Sequence, residues 1–388
     1  MFAFAPRLPV VGLGIMLAGC DPLAPVAAPG TGVATDTGGE GAAAESGEGA
    51  VTTDSTQDET GDSARTDDSA PPEDTGRNLS DFDLCFQEIA DTASGPSPDY
   101  DQFSPTIGAH CNGTNMQEIT GIERVVFLGD SVTVGTPPHL PTDFYRSLLA
   151  EKLASKFGIE APDWFWMMYD PFSGTSITQE SGAFASCAEW GARTDDLMHD
   201  GDQVAVCLPE DQRTKNTLII MTVGGNDLNA LTDGFLAGTP SDELWQQTYD
   251  FVALLRDTVA YLKSDPLMFP NGLSIVFSNN YEFTDATGDI TTCPAAGLIG
   301  YDAAITDPEL AKMVVWAMEQ YMSIAVDYDV DMIFMLENFC GHGFNHEQTD
   351  GRCYRGVDAK LWFDLTCIHP NDTGAARIAD MFMDVVDE

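Results

Sequence analysis

From about residue 120 the chain alternates short apolar runs with longer amphipathic stretches, and this alternation most constrains the fold. Continuous apolar strands separated by helices are typical of a parallel sheet covered on both faces. The candidate strands are RVVFLG (124–129), DWFWMMY (163–169), TLIIMTVG (217–224), LSIVFSN (273–279) and VDMIFML (330–336), and helices are expected near 142–157, 242–264, 308–328 and 371–386. The pattern predicts one three-layer α/β/α domain with a mostly parallel, five-stranded sheet.

Small polar residues follow three of these runs. Asp130-Ser131 comes after the first run, DPFSGTSIT with Gly174 after the second, and Gly225-Asn226-Asp227 after the third. In open parallel sheets, of which the flavodoxin-like sheet expected here is one type, ligands bind outside the carboxyl ends of the strands. We therefore expect the chemistry of this chain just after each run, at these three positions and in the loops after residues 279 and 336.

A histidine near the C-terminus completes a possible catalytic set. In FDLTCIHPND, His369 precedes Pro370 just ahead of the last predicted helix, where proline favours a helix start. Serine is a poor nucleophile at neutral pH and requires a base within hydrogen-bond reach, together with donors for the oxyanion that forms. The chain supplies a candidate for each of these roles.

These four blocks, in this order, resemble the SGNH hydrolases, also called the GDSL esterase/lipase family. The resemblance implies that Ser131 is the nucleophile and that His369 is its general base and later its general acid. It also implies an oxyanion hole built from the backbone N–H groups of Ser131 and Gly174 and the side-chain amide of Asn226. Asp130 and Asp227 are expected to brace their loops. Neither a metal nor a cofactor is expected.

One position departs from the family pattern. The acid that orients the histidine commonly lies three residues before it, and here that residue is Thr366. Two alternatives remain open. Either Asp364 reaches the imidazole Nδ1, which makes it the third catalytic residue, or the main-chain carbonyl of Thr366 does so.

The N-terminus has the features of an export signal. MFAFAPRLPVVGLGIMLAGC (1–20) has one early basic residue, a short apolar core and small residues before Cys20. Its end resembles the lipobox of bacterial lipoproteins, which implies lipidation of Cys20 and anchorage in the bacterial cell envelope, on the periplasmic face or the cell surface. Residues 21–78 are acidic, rich in Gly, Ala, Ser and Thr, and are expected to form a disordered tether.

The hydrolase domain is expected to span residues 79–388, with a disulfide-tied N-terminal extension at 79–120. Eight cysteines remain besides Cys20, an even number that suggests disulfides in an exported protein. Neighbouring cysteines, Cys187 with Cys207 and Cys353 with Cys367, are the suggested pairs. The net charge of -45 makes nucleic acids and anionic lipid headgroups poor partners.

The predicted function is a membrane-tethered serine esterase acting on a small-molecule, lipid or polysaccharide ester. The alternative is an inactive SGNH-like surface lipoprotein that binds a carbohydrate or a protein partner. An α/β-hydrolase is disfavoured because the chain lacks a G-x-S-x-G pentapeptide. CGHGFNHE (340–347) is a weak metal candidate, since its glycines disfavour the helix on which an H-E-x-x-H site lies.

Overall fold

The computed structural model describes residues 79–91, 97–199, 201–298 and 302–388. The predicted signal peptide with Cys20 and the predicted tether lie outside these residues. Within the described ranges, no helix has both the length and the apolar composition needed to cross a membrane.

The central sheet has six strands. The strands of the described chain are β1 Arg124–Gly129, β2 Tyr169–Asp170, β3 Thr175–Ser176, β4 Glu180–Ser181, β5 Phe184–Ser186, β6 Thr217–Thr222, β7 Leu273–Ser278 and β8 Asp331–Ile333. The sheet has the order β4-β5-β1-β6-β7-β8, while β2 and β3 form a separate antiparallel hairpin. All neighbours from β5 to β8 pair in parallel, and only β4 is antiparallel. The five parallel strands therefore have the flavodoxin-like order that the sequence predicts.

Helices cover both faces of this sheet. They are α1 Asp81–Cys85, α2 Gln87–Asp91, α3 Ser131–Val134, α4 Tyr145–Phe157, α5 Trp164–Met167, α6 Gln203–Cys207, α7 Gly225–Leu236, α8 Ser241–Lys263, α9 Pro308–Tyr328, α10 Met335–Phe339 and α11 Asp372–Asp387. Val125 and Phe127 of β1 pack in a buried cluster with α4 and α11. Val126 and Leu128 pack on the opposite face with α8 and α9. Because successive strand residues face opposite layers, β1 is apolar from Val125 to Leu128.

One predicted strand is wrong. Residues 164–167 form helix α5, because Asp163 caps it by accepting a hydrogen bond from the Trp166 N–H (3.1 Å). Such a side-chain cap stabilises the first turn of a helix. The strand that pairs with β1 on this side is β5, and β4 adds an antiparallel edge beyond it.

The N-terminal segment packs on the sheet through aromatic rings. A disulfide joins Cys85 and Cys111. The rings of Phe82 and Phe86 lie 5.5 and 5.9 Å from that of Phe334, edge to face. The contacts agree with an extension at 79–120, while the domain boundaries themselves stay a prediction.

Three further disulfides lie in the described chain. The predicted Cys187–Cys207 pair is confirmed. The predicted Cys353–Cys367 pair is wrong, because Cys353 bonds Cys340 at the end of α10 and Cys367 bonds the distant Cys293. Proximity along the chain failed here because residues 290–296 pack directly against the loop that carries Cys367. Disulfides of this number fit an exported protein.

Candidate active site

The predicted nucleophile, Ser131, lies at the end of the central strand. Strand β1 ends at Gly129, where φ is 127° and a Cβ atom would lie 1.9 Å from the Thr222 carbonyl oxygen, so only glycine fits. Asp130 then caps α3 by accepting a hydrogen bond from the Val132 N–H (2.9 Å), which confirms its bracing role. As the first residue of α3, Ser131 has an N–H without an acceptor inside the helix.

Gln203 braces the same turn, a contact that the sequence did not reveal. Its side chain accepts a hydrogen bond from the Gly129 N–H (2.7 Å) and donates one to the Gly129 carbonyl (2.9 Å). Gln203 is buried and begins α6. Both polar groups of the Gly129 residue are therefore fixed immediately before the nucleophile.

The predicted base meets the predicted nucleophile. Ser131 Oγ lies 2.9 Å from His369 Nε2. His369 is only 7% exposed, and this burial lowers the pKa of its imidazole below the ordinary value, although the charge of Asp364 opposes the shift. The ring is therefore neutral at pH 7, which is the state that can accept a proton from serine.

The other ring nitrogen contacts neither of the two groups proposed from the sequence. His369 Nδ1 lies 3.0 Å from the side-chain hydroxyl of Thr366. That hydroxyl in turn donates a hydrogen bond to Asp364 Oδ1, which also accepts the Thr366 N–H (2.7 Å). Thr366 therefore links the histidine to Asp364, and the carboxylate reaches the ring through a hydroxyl.

This arrangement selects one tautomer of His369. A threonine hydroxyl has a single hydrogen, and here it points to the carboxylate of Asp364. Towards His369 the hydroxyl can then only accept, so Nδ1 carries the ring hydrogen. Nε2 is left with a lone pair facing Ser131.

Asn226 and Asp227 lie in the first turn of α7, beside the loop that follows β5. Asn226 Nδ2 donates a hydrogen bond to the Ala192 carbonyl (2.9 Å), which leaves the second amide hydrogen for another acceptor. Asp227 accepts hydrogen bonds from the Thr194 N–H (3.2 Å) and hydroxyl (3.1 Å). Asp227 therefore braces this loop, as the sequence predicts.

Gly174 does not lie at the end of a sheet strand. It belongs to the turn between β2 and β3, and its N–H donates a hydrogen bond to the Asp170 carbonyl (2.8 Å). The predicted role of this N–H in an oxyanion hole is therefore wrong. Gly191 follows β5, the strand beside β1, with a φ of 78°, and it precedes the residue that binds Asn226. The same strand-end rule would have selected Gly191 had β5 been recognised.

A family comparison agrees with this geometry. The model of the GDSL-like lipase/acylhydrolase family matches residues 125–382, which include Ser131, Asn226 and His369. The chain belongs to this family. It is accordingly an ester-hydrolysing hydrolase.

Solved structures of several esterases are similar to this GDSL-like hydrolase. An acetyl xylan esterase, AlAXEase, and an extracellular lipase from Streptomyces rimosus are each 15% identical, and each match covers 68% of this chain and 99% of the other, with TM-scores of 0.37. A phospholipase A1 from Streptomyces albidoflavus NA297 is 14% identical over 69% of this chain and 98% of the other, also with a TM-score of 0.37. No curated protein matches the sequence.

In the described chain, the long loops at 280–305 and 337–362 of the GDSL-like hydrolase do not line the cleft beside Ser131. Residues from 131–145 and 369–375 line the cleft beside Ser131. Parts of the loops 280–305 and 337–362 instead line, with the N-terminal extension, a cavity of about 530 Å³ whose lining does not include Ser131 or His369. The first loop still supports the site, because Cys293 bonds Cys367 and the Tyr281 hydroxyl donates to the Ile368 carbonyl (2.8 Å).

The histidines of CGHGFNHE make protein contacts. The His342 ring stacks on Trp362, with centroids 3.6 Å apart, and its Nδ1 lies 2.8 Å from the Lys360 carbonyl. His346 Nδ1 lies 2.7 Å from the Gly343 carbonyl. In the part of the chain that the structure describes, no three His, Cys, Asp or Glu side chains are grouped to hold a metal ion.

Proposed function

We propose that this hydrolase cleaves carboxylic esters through an acyl-enzyme on Ser131. The observation that carries the proposal is the 2.9 Å contact of Ser131 Oγ with Nε2 of a buried histidine whose Nδ1 is already engaged. A serine paired with a base of this tautomer is equipped for nucleophilic attack.

The reaction proceeds in two halves. Ser131 Oγ attacks the ester carbonyl while His369 Nε2 takes the serine proton, and the tetrahedral intermediate expels the alcohol, which receives that proton from His369. A water molecule then attacks the acyl-enzyme and gives a proton to Nε2. Collapse of the second intermediate releases the acid and returns the proton to Ser131.

Three donors suit the oxyanion in both halves. They are the N–H of Ser131 at the start of α3, the N–H of Gly191, and the second amide hydrogen of Asn226. The hydrogen bond between Asn226 and Ala192 supports this assignment, because it holds the amide next to the loop of Gly191. Fixed donors of this kind stabilise the developing negative charge without reorganising during the reaction.

Thr366 is the group proposed to orient the base, with Asp364 acting through it. The imidazolium formed during attack keeps its Nδ1–H on the Thr366 hydroxyl, and Asp364 adds a negative charge beyond that hydroxyl. The catalytic set is thus Ser131, His369 and Thr366, backed by Asp364.

Two assays test the esterase proposal. Wild type should hydrolyse p-nitrophenyl acetate or butyrate, and Ser131→Ala should not. A fluorophosphonate should add to wild type at Ser131, as peptide mass spectrometry would detect, while His369→Gln should react far more slowly. Equal turnover by wild type and Ser131→Ala would exclude the mechanism. A panel of esters of increasing acyl length, with acetylated xylan included, would then define the substrate class.

We propose further that the protein is exported and anchored through lipid on Cys20. The sequence of residues 1–20 and the disulfides of the described chain support export. Labelling of the chain by a fatty acid analogue should disappear in Cys20→Ser. Unlabelled wild-type protein would rule out the anchor.

A further inference from the structure

His139 lies close to the catalytic residues and has no role in the mechanism above. It is in the segment between α3 and α4, and it lines the cleft that Ser131 and His369 share. Its side chain is 15% exposed. A histidine so close to a catalytic base affects that base through charge as well as through packing.

Both ring nitrogens of His139 contact carboxylates. Nε2 lies 3.2 Å from Asp364 Oδ2, and Nδ1 lies 2.5 Å from Asp372 Oδ1. A carboxylate only accepts hydrogen bonds, so both contacts are satisfied only when both nitrogens carry hydrogen. The geometry therefore requires His139 to be an imidazolium.

Both oxygens of the Asp364 carboxylate then have a hydrogen-bond donor. Its Oδ1 accepts two hydrogen bonds from Thr366, and its Oδ2 faces the cation of His139. The Asp364 side chain is only 3% exposed, so an anion there needs this compensation. A continuous series of contacts thus joins Ser131 to His139 through His369, Thr366 and Asp364.

We propose that His139, as an imidazolium, is a positioning residue that keeps His369 in its catalytic tautomer. The proposal rests on the esterase function above. With His139 charged, its Nε2–H holds Asp364 Oδ2, and the Thr366 hydroxyl donates to Oδ1. Without that cation, the Asp364 carboxylate is no longer held in this orientation, and the Thr366 hydroxyl is free to donate to His369 Nδ1 instead. The ring hydrogen of His369 moves to Nε2, where it blocks proton transfer from Ser131.

The charged groups around His139 set the expected pH dependence. Asp364 precedes the catalytic histidine, Asp372 begins α11, Asp143 lines the same cleft from the short 3-10 helix at 141–143, and His369 lies beyond Asp364. Hydrogen bonding to Asp364, with a smaller contribution from Asp372, raises the pKa of His139 above its ordinary value despite partial burial. The rate should therefore rise as His369 loses its proton and fall at higher pH as His139 loses its own.

Three variants separate this role from a merely structural one. His139→Gln retains a donor for Asp364 but cannot titrate, so the alkaline limb of kcat/KM should disappear. The acid limb should move to higher pH, because the charge of His139 helps to lower the pKa of His369. His139→Leu removes donor and charge, and kcat should fall roughly 10-fold to 100-fold with little change in KM.

Asp372→Asn tests the charge from a surface position, since the Asp372 side chain is 65% exposed. It should move the alkaline limb to lower pH. Asp380→Asn is the matched control on α11, where Asp380 pairs with Lys152, and it should leave the limb in place. An alkaline limb unchanged in both His139→Gln and Asp372→Asn would overturn the proposal.

A spectroscopic measurement keeps this test independent of turnover. The ¹⁵N shifts of labelled histidine in the full chain, with His369 assigned through His369→Gln, report the ring tautomer. Wild type should show the Nδ1–H form, and His139→Leu should show a substantial Nε2–H population. The same tautomer in both would refute the positioning role, whereas ester hydrolysis by Ser131→Ala would refute the esterase mechanism alone.

Discussion

Replacing Thr366 with valine removes one hydroxyl and keeps the shape of the side chain. That hydroxyl lies 3.0 Å from His369 Nδ1 and 3.3 Å from the His369 backbone nitrogen. In Thr366→Val the Nδ1–H of a buried ring loses its acceptor, and the charge of Asp364 is no longer transmitted through a hydrogen bond. The base is then held less firmly in its catalytic tautomer.

The expected loss follows from the cost of one unpaired buried donor. That cost is about 1–3 kcal/mol, which corresponds to a decrease of roughly 5-fold to 150-fold in kcat. It is smaller than the loss of about 10⁴-fold that removal of a directly bonded acid causes in a serine protease, because Asp364 remains nearby as a charge. KM should not change, since Thr366 is not among the residues lining the cleft.

The assay is steady-state hydrolysis of p-nitrophenyl butyrate at the pH optimum, after circular dichroism has shown equal folding. Thr366→Ser is the matched control, because it keeps the hydroxyl and should retain most of the activity. Asp364→Asn in the wild-type background should lower kcat, and in the Thr366→Val background its effect should shrink, since the carboxylate acts through the hydroxyl.

Two results would refute this reasoning. Wild-type kcat in Thr366→Val would show that the hydroxyl does not orient the base. Equal effects of Asp364→Asn in both backgrounds would show that the carboxylate acts on the site independently of Thr366.

Three further predictions concern other parts of the site. Asn226→Ala should lower kcat about 10²-fold to 10³-fold with p-nitrophenyl butyrate, and an unchanged kcat would remove Asn226 from the oxyanion hole. Replacing Cys293 and Cys367 with alanine removes a disulfide between residues 74 apart in the sequence. The free energy of unfolding measured in urea titrations should fall by about 4 kcal/mol, and kcat should fall as well. Unaltered values would show that this disulfide does not hold the catalytic loop. Burial raises the pKa of Asp130 to about 7. Between about pH 4 and pH 7 the folded state therefore retains a proton that the unfolded chain releases, and the stability of the protein falls as the pH rises through this range. Asp130→Asn keeps a good helix cap and should reduce this fall in stability by at most about 4 kcal/mol. If the free energy of unfolding has the same dependence on pH in the variant and in wild type, burial of Asp130 is not the cause.

The fold was predictable where strands are buried on both faces. Strands β1, β6, β7 and β8 were predicted because a short continuous apolar run between helices is typical of a strand buried on both faces. The run at 163–169 has the same composition, but the cap at Asp163 turns it into a helix. Strand β5 has only three residues, which is too short for a periodic signal.

The site was predictable where a residue type and a strand end coincide. Ser131 and Asn226 satisfied both criteria, whereas Gly174 followed a strand that does not form. His369 was selected by Pro370, which marks the start of the last helix. The sequence pointed to the carbonyl of Thr366 but not to its hydroxyl, which the structure places between His369 and Asp364. His139 gave no signal, because it contacts Asp364 from a loop 225 residues away. A threonine three residues before a histidine becomes informative only when its hydroxyl is seen between a ring nitrogen and a carboxylate.

The brace at Gly129 also has a mechanical consequence. Helix α6 begins with Gln203, which holds Gly129, and ends with Cys207, which is bonded to Cys187 of the loop carrying Gly191. The turn of the nucleophile and the loop of a proposed oxyanion donor are thus parts of one cross-linked unit. On heating, the loops that lie outside this unit should loosen first, so the nucleophile and this donor should keep their relative positions at temperatures where the rest of the site has begun to loosen.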